Sequence, residues 1–97
     1  MTVPRFEWDP AKAAENERKH RVSFPEAVTV FEDDEALFIP DPDHSVGEER
    51  YVLLGLSSAL RVLVVVHCEF QGGNVIRLIS ARKADRGERQ AYADRRS

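Results

Sequence analysis

The side chains best suited to chemistry on a polyanion gather near the end of the chain. Arg77, Arg82 and Lys83 stand close together, and from Ile76 to Ser97 there are seven basic residues against three acidic ones, a local balance of +4. Arginine suits phosphate because its planar fork grips two oxygens at once and never loses its charge. Three histidines, His20, His44 and His67, supply the side chain most easily tuned to move a proton near neutral pH. From Glu32 to Glu49 the balance reverses, with eight acidic residues and no Lys or Arg. The net charge of −3 argues weakly against a nucleic-acid partner, although local field rather than total charge steers a polyanion. Both charged segments are equally readable as solvated faces.

These residues need elements to position them. Asp9 before Pro10 reads as an N-cap with proline at the first helical position, so a first helix runs from Pro10 to Lys19 or His20. The basic residues of its last turn suit the helix dipole. Ser23-Phe24-Pro25-Glu26 reads as a capping box, and Phe24, Ala27, Val28 and Phe31 form an apolar stripe at helical period, giving a second helix over Phe24 to Phe31. Ala36 to Ile39 reads as a short strand stopped by Pro40, and Asp41 to Gly47 as a loop. Three strand-like runs follow, Arg50 to Leu56, Arg61 to Phe70 and Asn74 to Lys83. The breaks between them are too short for anything but antiparallel hairpins. Asp85 to Glu88 reads as another capping box and opens a third helix carrying Arg89, Tyr92, Arg95 and Arg96, in which Gly87 costs up to about 1 kcal/mol relative to alanine. The expected order α-α-β-β-β-β-α makes one α+β domain over residues 1–97: two N-terminal helices, a four-stranded antiparallel meander and a C-terminal helix.

Regular alternation along the last strand puts Arg77, Ile79, Ala81 and Lys83 on one face and Ile76, Leu78, Ser80 and Arg82 on the other. Arg77 inside such a strand needs an ion pair, with Glu69 or another carboxylate, or a place at a cleft. Arg82 and Lys83 at the strand end are phosphate contacts or solubilising charge. His67 shares the register of Arg61, Leu63 and Val65, and is either an acid–base group or a hydrogen-bonded histidine at a sheet edge. His20 beside Lys19 is either a helix-terminal charge or a phosphate or proton-transfer group. Cys68 points away from His67, which disfavours a Cys–His nucleophile.

The composition excludes several classes. With 97 residues, 42% hydrophobic and 32% charged, the chain is an ordinary globular domain. One cysteine allows no internal disulfide and suits a reducing cytoplasm. The longest apolar run, Val62 to Val66, is strand-sized, so no membrane span is expected, and the N-terminal residues lack a signal-peptide core. Asp41, Asp43, His44 and Glu48 fit no EF-hand, and a structural zinc site would want more Cys and His, so no metal and no cofactor are expected. No Walker or Rossmann glycine loop is present, and Gly72-Gly73 reads as a hairpin turn.

Phe6-Glu7-Trp8-Asp9, Lys19-His20, Val22-Ser23-Phe24, Glu26-Ala27, Val30-Phe31 and Ile79-Ser80-Ala81-Arg82-Lys83-Ala84 occur in an order and at spacings that resemble the BrnT toxins. The resemblance spans nearly the whole chain, and the opening tetrapeptide with Ser80 to Ala84 is its most specific part. It implies a RelE-like fold, RNA cleavage that halts translation, and an antitoxin of the BrnA type bearing a ribbon-helix-helix segment. It further implies a complex of two toxins with two antitoxins that binds promoter DNA where the toxin alone does not. Where such toxins show a polar or basic strand end after His67, this chain has Cys68-Glu69-Phe70-Gln71.

A metal-independent ribonuclease needs a group to take the 2′-hydroxyl proton, cations to neutralise the five-coordinate phosphorus, and a group to protonate the leaving 5′-oxygen. The resemblance, with the residue types above, points to Arg77, Arg82, Lys83, His67 and Tyr92 as catalytic candidates. Tyr92 enters by analogy with the last-helix tyrosine of RelE-like toxins, and either stacks on a base or packs on the sheet. Lys19, His20, Arg61 and Arg89 are candidate RNA contacts. The competing reading is a catalytically silent binding module that acts as co-repressor through its DNA-binding partner. It gains if Arg77, Arg82 and Lys83 are all locked in ion pairs.

Overall fold

A computed structural model describes residues 3–40 and 50–96, apart from the side chains at 40 and 96. Its elements are β1 (Arg5–Glu7), α1 (Pro10–His20), α2 (Phe24–Thr29) continued by a 3₁₀ turn (Val30–Glu32), β2 (Leu37–Pro40), β3 (Arg50–Leu56), β4 (Val62–Phe70), β5 (Val75–Lys83) and α3 (Arg86–Arg96). The α+β class and the three helices agree with the sequence reading. The sheet differs from the expected four-stranded meander: it has five strands in the order β1-β5-β4-β3-β2. β2 to β5 are the antiparallel meander, and β1 adds to β5 in parallel, with Arg5, Phe6 and Glu7 opposite Val75, Ile76 and Arg77. Three residues before a helix are too few to show strand periodicity, and their pairing partner lies at the other end of the sequence. The loop expected at Asp41 to Gly47, and with it the acidic cluster weighed as a metal site, lies outside the described residues.

The caps form largely as their sequences dictate. Asp9 accepts the Ala11 N–H at 2.8 Å, and Arg21 closes α1 in the left-handed region at φ 59°. At α3 the capping box is reciprocal, Asp85 accepting the Glu88 N–H at 2.8 Å while Glu88 accepts the Asp85 N–H at 2.9 Å. At α2 it is half formed. Ser23 accepts the Glu26 N–H, but the Glu26 carboxylate is drawn away to Arg61 and Ser57.

Helices cover both faces of the sheet. On one side α1 and α2 bury Val22, Phe24, Ala27 and Val30 against Leu53, Leu63, Val65, Ile76, Leu78 and Ala81. On the other, α3 seats Tyr92 and Ala84 on Leu54 and Val64. Gly55 permits the turn before β2 to press onto β3, since a Cβ there would stand 2.9 Å from both Ala36 Cβ and Val30 Cγ1. Asp33 fastens the same turn, accepting from the Leu56 N–H at 2.8 Å, the Glu35 N–H at 2.9 Å and the Tyr92 hydroxyl at 2.5 Å.

One irregularity matters for the site. Val66 pairs with Ser80 but His67 pairs with Leu78, so Ile79 is an extra residue in β5, a β-bulge. Alternation is therefore broken where the sequence reading assumed it regular. Arg77 shares a face with Ser80 and Arg82, on the α3 side, while Ala81 and Lys83 join Leu78 on the α1–α2 side.

Candidate functional site

β1 pairs only with Val75 to Arg77, and the chain then turns away into α1. The rest of β5 has no strand on its outer side. α1 runs beside it, and Asn16, a buried polar residue of that helix, closes the gap. Its amide nitrogen donates to Ala81 O and to Val22 O, both at 2.9 Å, and its oxygen accepts the Ala81 N–H at 3.0 Å. On either side of this clasp the surface is indented. A cleft of about 350 Å³ is lined by Lys12, Glu15, Asn16, Lys19, His20 and Ser80 among others. A smaller one of about 90 Å³ is lined by Asp9, Lys12, Arg77, Leu78 and Ile79. The two share Lys12 and Ile79, the bulged residue, and together form one groove along the β5 edge.

The groove is basic in effect. Its two carboxylates are held by other groups: Asp9 caps α1, and Glu15 is bonded to Arg18 at 2.6 Å, which lowers its pKa. Lys12 and Lys19 are exposed and make no ion pair among the described residues. They lie two helical turns apart, about 10 Å along the axis. His20 is half-buried at the end of α1, beside Lys19. Arg77 is half-exposed and only loosely tied, its Nε 3.3 Å from a Glu7 oxygen. Cation side chains, one imidazole and a groove floored by a strand edge can hold a phosphate chain and move a proton beside it.

The other candidates are placed elsewhere. His67 is fully buried among the rings of Phe31, Phe38 and Tyr51, at centroid distances of 4.9, 5.9 and 5.9 Å. Burial lowers its pKa, and a 3.3 Å contact between Nε2 and Glu69 offsets this only in part. Tyr92 is buried with its hydroxyl on Asp33. Arg82 is gripped at both guanidinium tips by Glu88, at 2.8 and 2.9 Å, and that pairing holds the Glu88 carboxyl down at about 2. Arg61 is engaged by Glu26 in the same two-point manner and also bonds Arg21 O. Arg89 donates to Ala84 O at 2.9 Å. Lys83 is exposed on the face opposite Arg82 and makes no ion pair among the described residues. Lys12 was missed by the sequence reading. It lies seven residues before Lys19 on the same helical face, a spacing that could have marked it.

A family model described as "Ribonuclease toxin, BrnT, of type II toxin-antitoxin system" matches residues 8–88. The chain belongs to the BrnT family. The fold agrees: the 1.1 Å crystal structure of the Brucella abortus ribonuclease toxin, BrnT, superposes with a TM-score of 0.66 at 21% identity, covering 87% of this chain and 100% of that one. No curated protein matches the chain. As a BrnT toxin of a type II system, it has an antitoxin as its partner. The matched segment contains every element that builds the groove except β1, and includes Lys12, Lys19, His20 and Arg77. No helix of the described residues is long and apolar enough to cross a membrane.

Proposed function

We propose that this BrnT-family chain is a metal-independent RNA endonuclease whose working surface is the groove between α1 and the outer edge of β5. The observation that carries the reading is the meeting of Lys12, Lys19, His20 and Arg77 there, with both neighbouring carboxylates engaged elsewhere. Lys12 and Lys19 hold successive stretches of RNA backbone. Arg77 faces the scissile phosphate and neutralises the charge that builds as the 2′-oxygen attacks phosphorus. His20 takes the 2′-hydroxyl proton, and the departing 5′-oxygen is protonated in the same groove. His67 and Tyr92 act from within the fold, since neither reaches the surface. Arg82 and Lys83 flank the site at the end of β5 and add to its field.

Cleavage in the cytoplasm would stop translation and growth. The antitoxin is of the BrnA type, with a ribbon-helix-helix segment. Two toxins and two antitoxins assemble, and promoter DNA is bound through that complex. The RelE-like label of the fold belongs to the same reading.

The test is induced expression in a bacterial host, with and without the neighbouring gene, scoring growth and new RNA 5′ ends. Growth arrest with new ends, relieved by the neighbour and lost in a folded Lys12→Ala, His20→Ala, Arg77→Ala triple variant, is the expected result. Arrest that survives in this variant but is lost in Arg82→Ala, Lys83→Ala would move the site to the strand end. A second reading, a silent co-repressor, is favoured by the two-point pairing of Arg82 with Glu88 and of Arg61 with Glu26. Intact RNA and normal growth from soluble, folded toxin would select it.

A further inference from the structure

The opposite edge of the sheet is built differently. β2 ends the strand order, so the outer side of Leu37–Pro40 presents backbone N–H and C=O groups to no other strand among the described residues. Its side chains are apolar and uncovered: Phe38 is 51% and Ile39 47% exposed. A soluble monomer ordinarily shields such an edge with charge, proline or a covering loop. Beside it, between the sheet and α3, runs a groove of about 390 Å³ lined by Leu37, Ile39, Val52, Leu54 and Ala91, with Asp85 and Glu88 at its rim. The turn leading into β2 exposes Glu32, Asp34 and Glu35, none of which forms an ion pair among the described residues.

We infer that the free edge of β2 and the adjoining α3 groove receive an extended segment of the antitoxin, basic and with apolar residues at alternate positions. A strand fits where a helix does not, because only an extended backbone can satisfy the row of unpaired groups along β2. Alternate side chains of the added strand then fall on the Ile39–Ala91 side, into the groove, and on the Phe38 side. The carboxylates at Glu32, Asp34 and Glu35 select a basic segment. They also oppose a second copy of this chain, whose own β2 would bring the same acidic turn. This rests on the toxin–antitoxin reading but not on the catalytic assignment, as the edge lies across the sheet from the β5 groove.

The test uses the full chain co-expressed with the protein encoded beside it, and measures affinity by calorimetry and amide hydrogen exchange. Ile39→Lys and Ala91→Arg are each expected to weaken binding by about tenfold or more. A Glu32→Gln, Asp34→Gln, Glu35→Gln triple variant is expected to weaken it and flatten its salt dependence. The amides of Phe38 and Ile39 should slow in the complex, and RNA cleavage by the lone variants should be unchanged. Ala91 is exposed on α3, so its variant keeps the test open if Ile39→Lys fails to fold. Unchanged affinity in folded Ile39→Lys and Ala91→Arg, or protection confined to α1 and β5, would overturn the proposal. So would β2 protection that rises with concentration in the toxin alone, which would assign the edge to a second copy. If the wild-type chain neither binds its neighbour nor is silenced by it, the toxin–antitoxin pairing itself fails, a result separable from a misplaced surface.

Discussion

The two edges of the sheet meet the same physical difficulty in opposite ways. Along β5, past the end of β1, the chain closes its own edge: α1 lies alongside and the Asn16 amide takes both backbone groups of Ala81. Along β2 nothing comparable is present among the described residues, and Phe38 and Ile39 stand half in solvent. The closed edge carries unpaired cations and the open edge carries apolar and acidic groups. One edge is thus finished by the fold, and the other is left for a partner to finish.

Substitution can break this contrast. The largest effect is expected at Asn16→Leu, which leaves the Ala81 N–H and C=O and the Val22 C=O without their side-chain partner in a buried site. The cost should be about 3 kcal/mol or more, a fall in melting temperature of more than about 10 °C. Ile39→Lys on the open edge should shift stability by less than about 0.5 kcal/mol, because no partner is lost within the chain. Equal losses at the two positions would dissolve the distinction.

Tyr92→Phe removes a hydrogen bond to the Asp33 carboxylate, which anchors the turn before β2. A loss of about 1.5–3 kcal/mol is expected in denaturant unfolding, with cleavage by the folded variant intact. Lost cleavage at unchanged stability would place the phenol on the substrate instead. Gly55→Ala drives a methyl group into Ala36 and Val30 beneath that turn, and should cost about 1–3 kcal/mol by the same measurement.

The smallest effect is one of pH. The Arg82 guanidinium holds Glu88 at about 2, below its usual 4.5, so the carboxylate is charged in folded and unfolded chains alike above that upper value. The stabilisation is complete there and is lost as the pH falls through the folded-state value. The pair is partly exposed, which limits its contribution to less than about 1 kcal/mol. Urea midpoints at acid and neutral pH should differ less in Arg82→Ala than in the wild type.

Much of this was legible in the sequence, because local rules governed it. Asp9-Pro10, Ser23 to Glu26 and Asp85 to Glu88 mark the helix starts, since caps depend on residues a turn apart. The three long strands fall within a residue of their expected limits, being set by local apolar runs and short turns. What escaped depends on distant partners. β1 is a strand only because β5 returns to it. The bulge at Ile79 has no side-chain signature, yet it moves Arg77 to the face of Arg82. Asp33 sits in an acidic run that reads as solvated surface, but one of its oxygens is shared by β3 and α3. His67 carried a choice between edge and site, and the structure puts it under three aromatic rings. For the groove, Lys19, His20 and Arg77 were named in advance, but nothing local says that α1 lies beside β5.

The clasp between Asn16 and Ala81 joins residues 65 positions apart. It therefore imposes an order on synthesis. While α1 is already outside the ribosome, β5 is still being made, and the groove has no floor. Contacts of such separation form late, after the intervening chain has collapsed. A ribosome translating this message is accordingly protected from its own product until β5 emerges, and a chain cut short before Val75 would be harmless. The delay is written into the topology and needs no inhibitor.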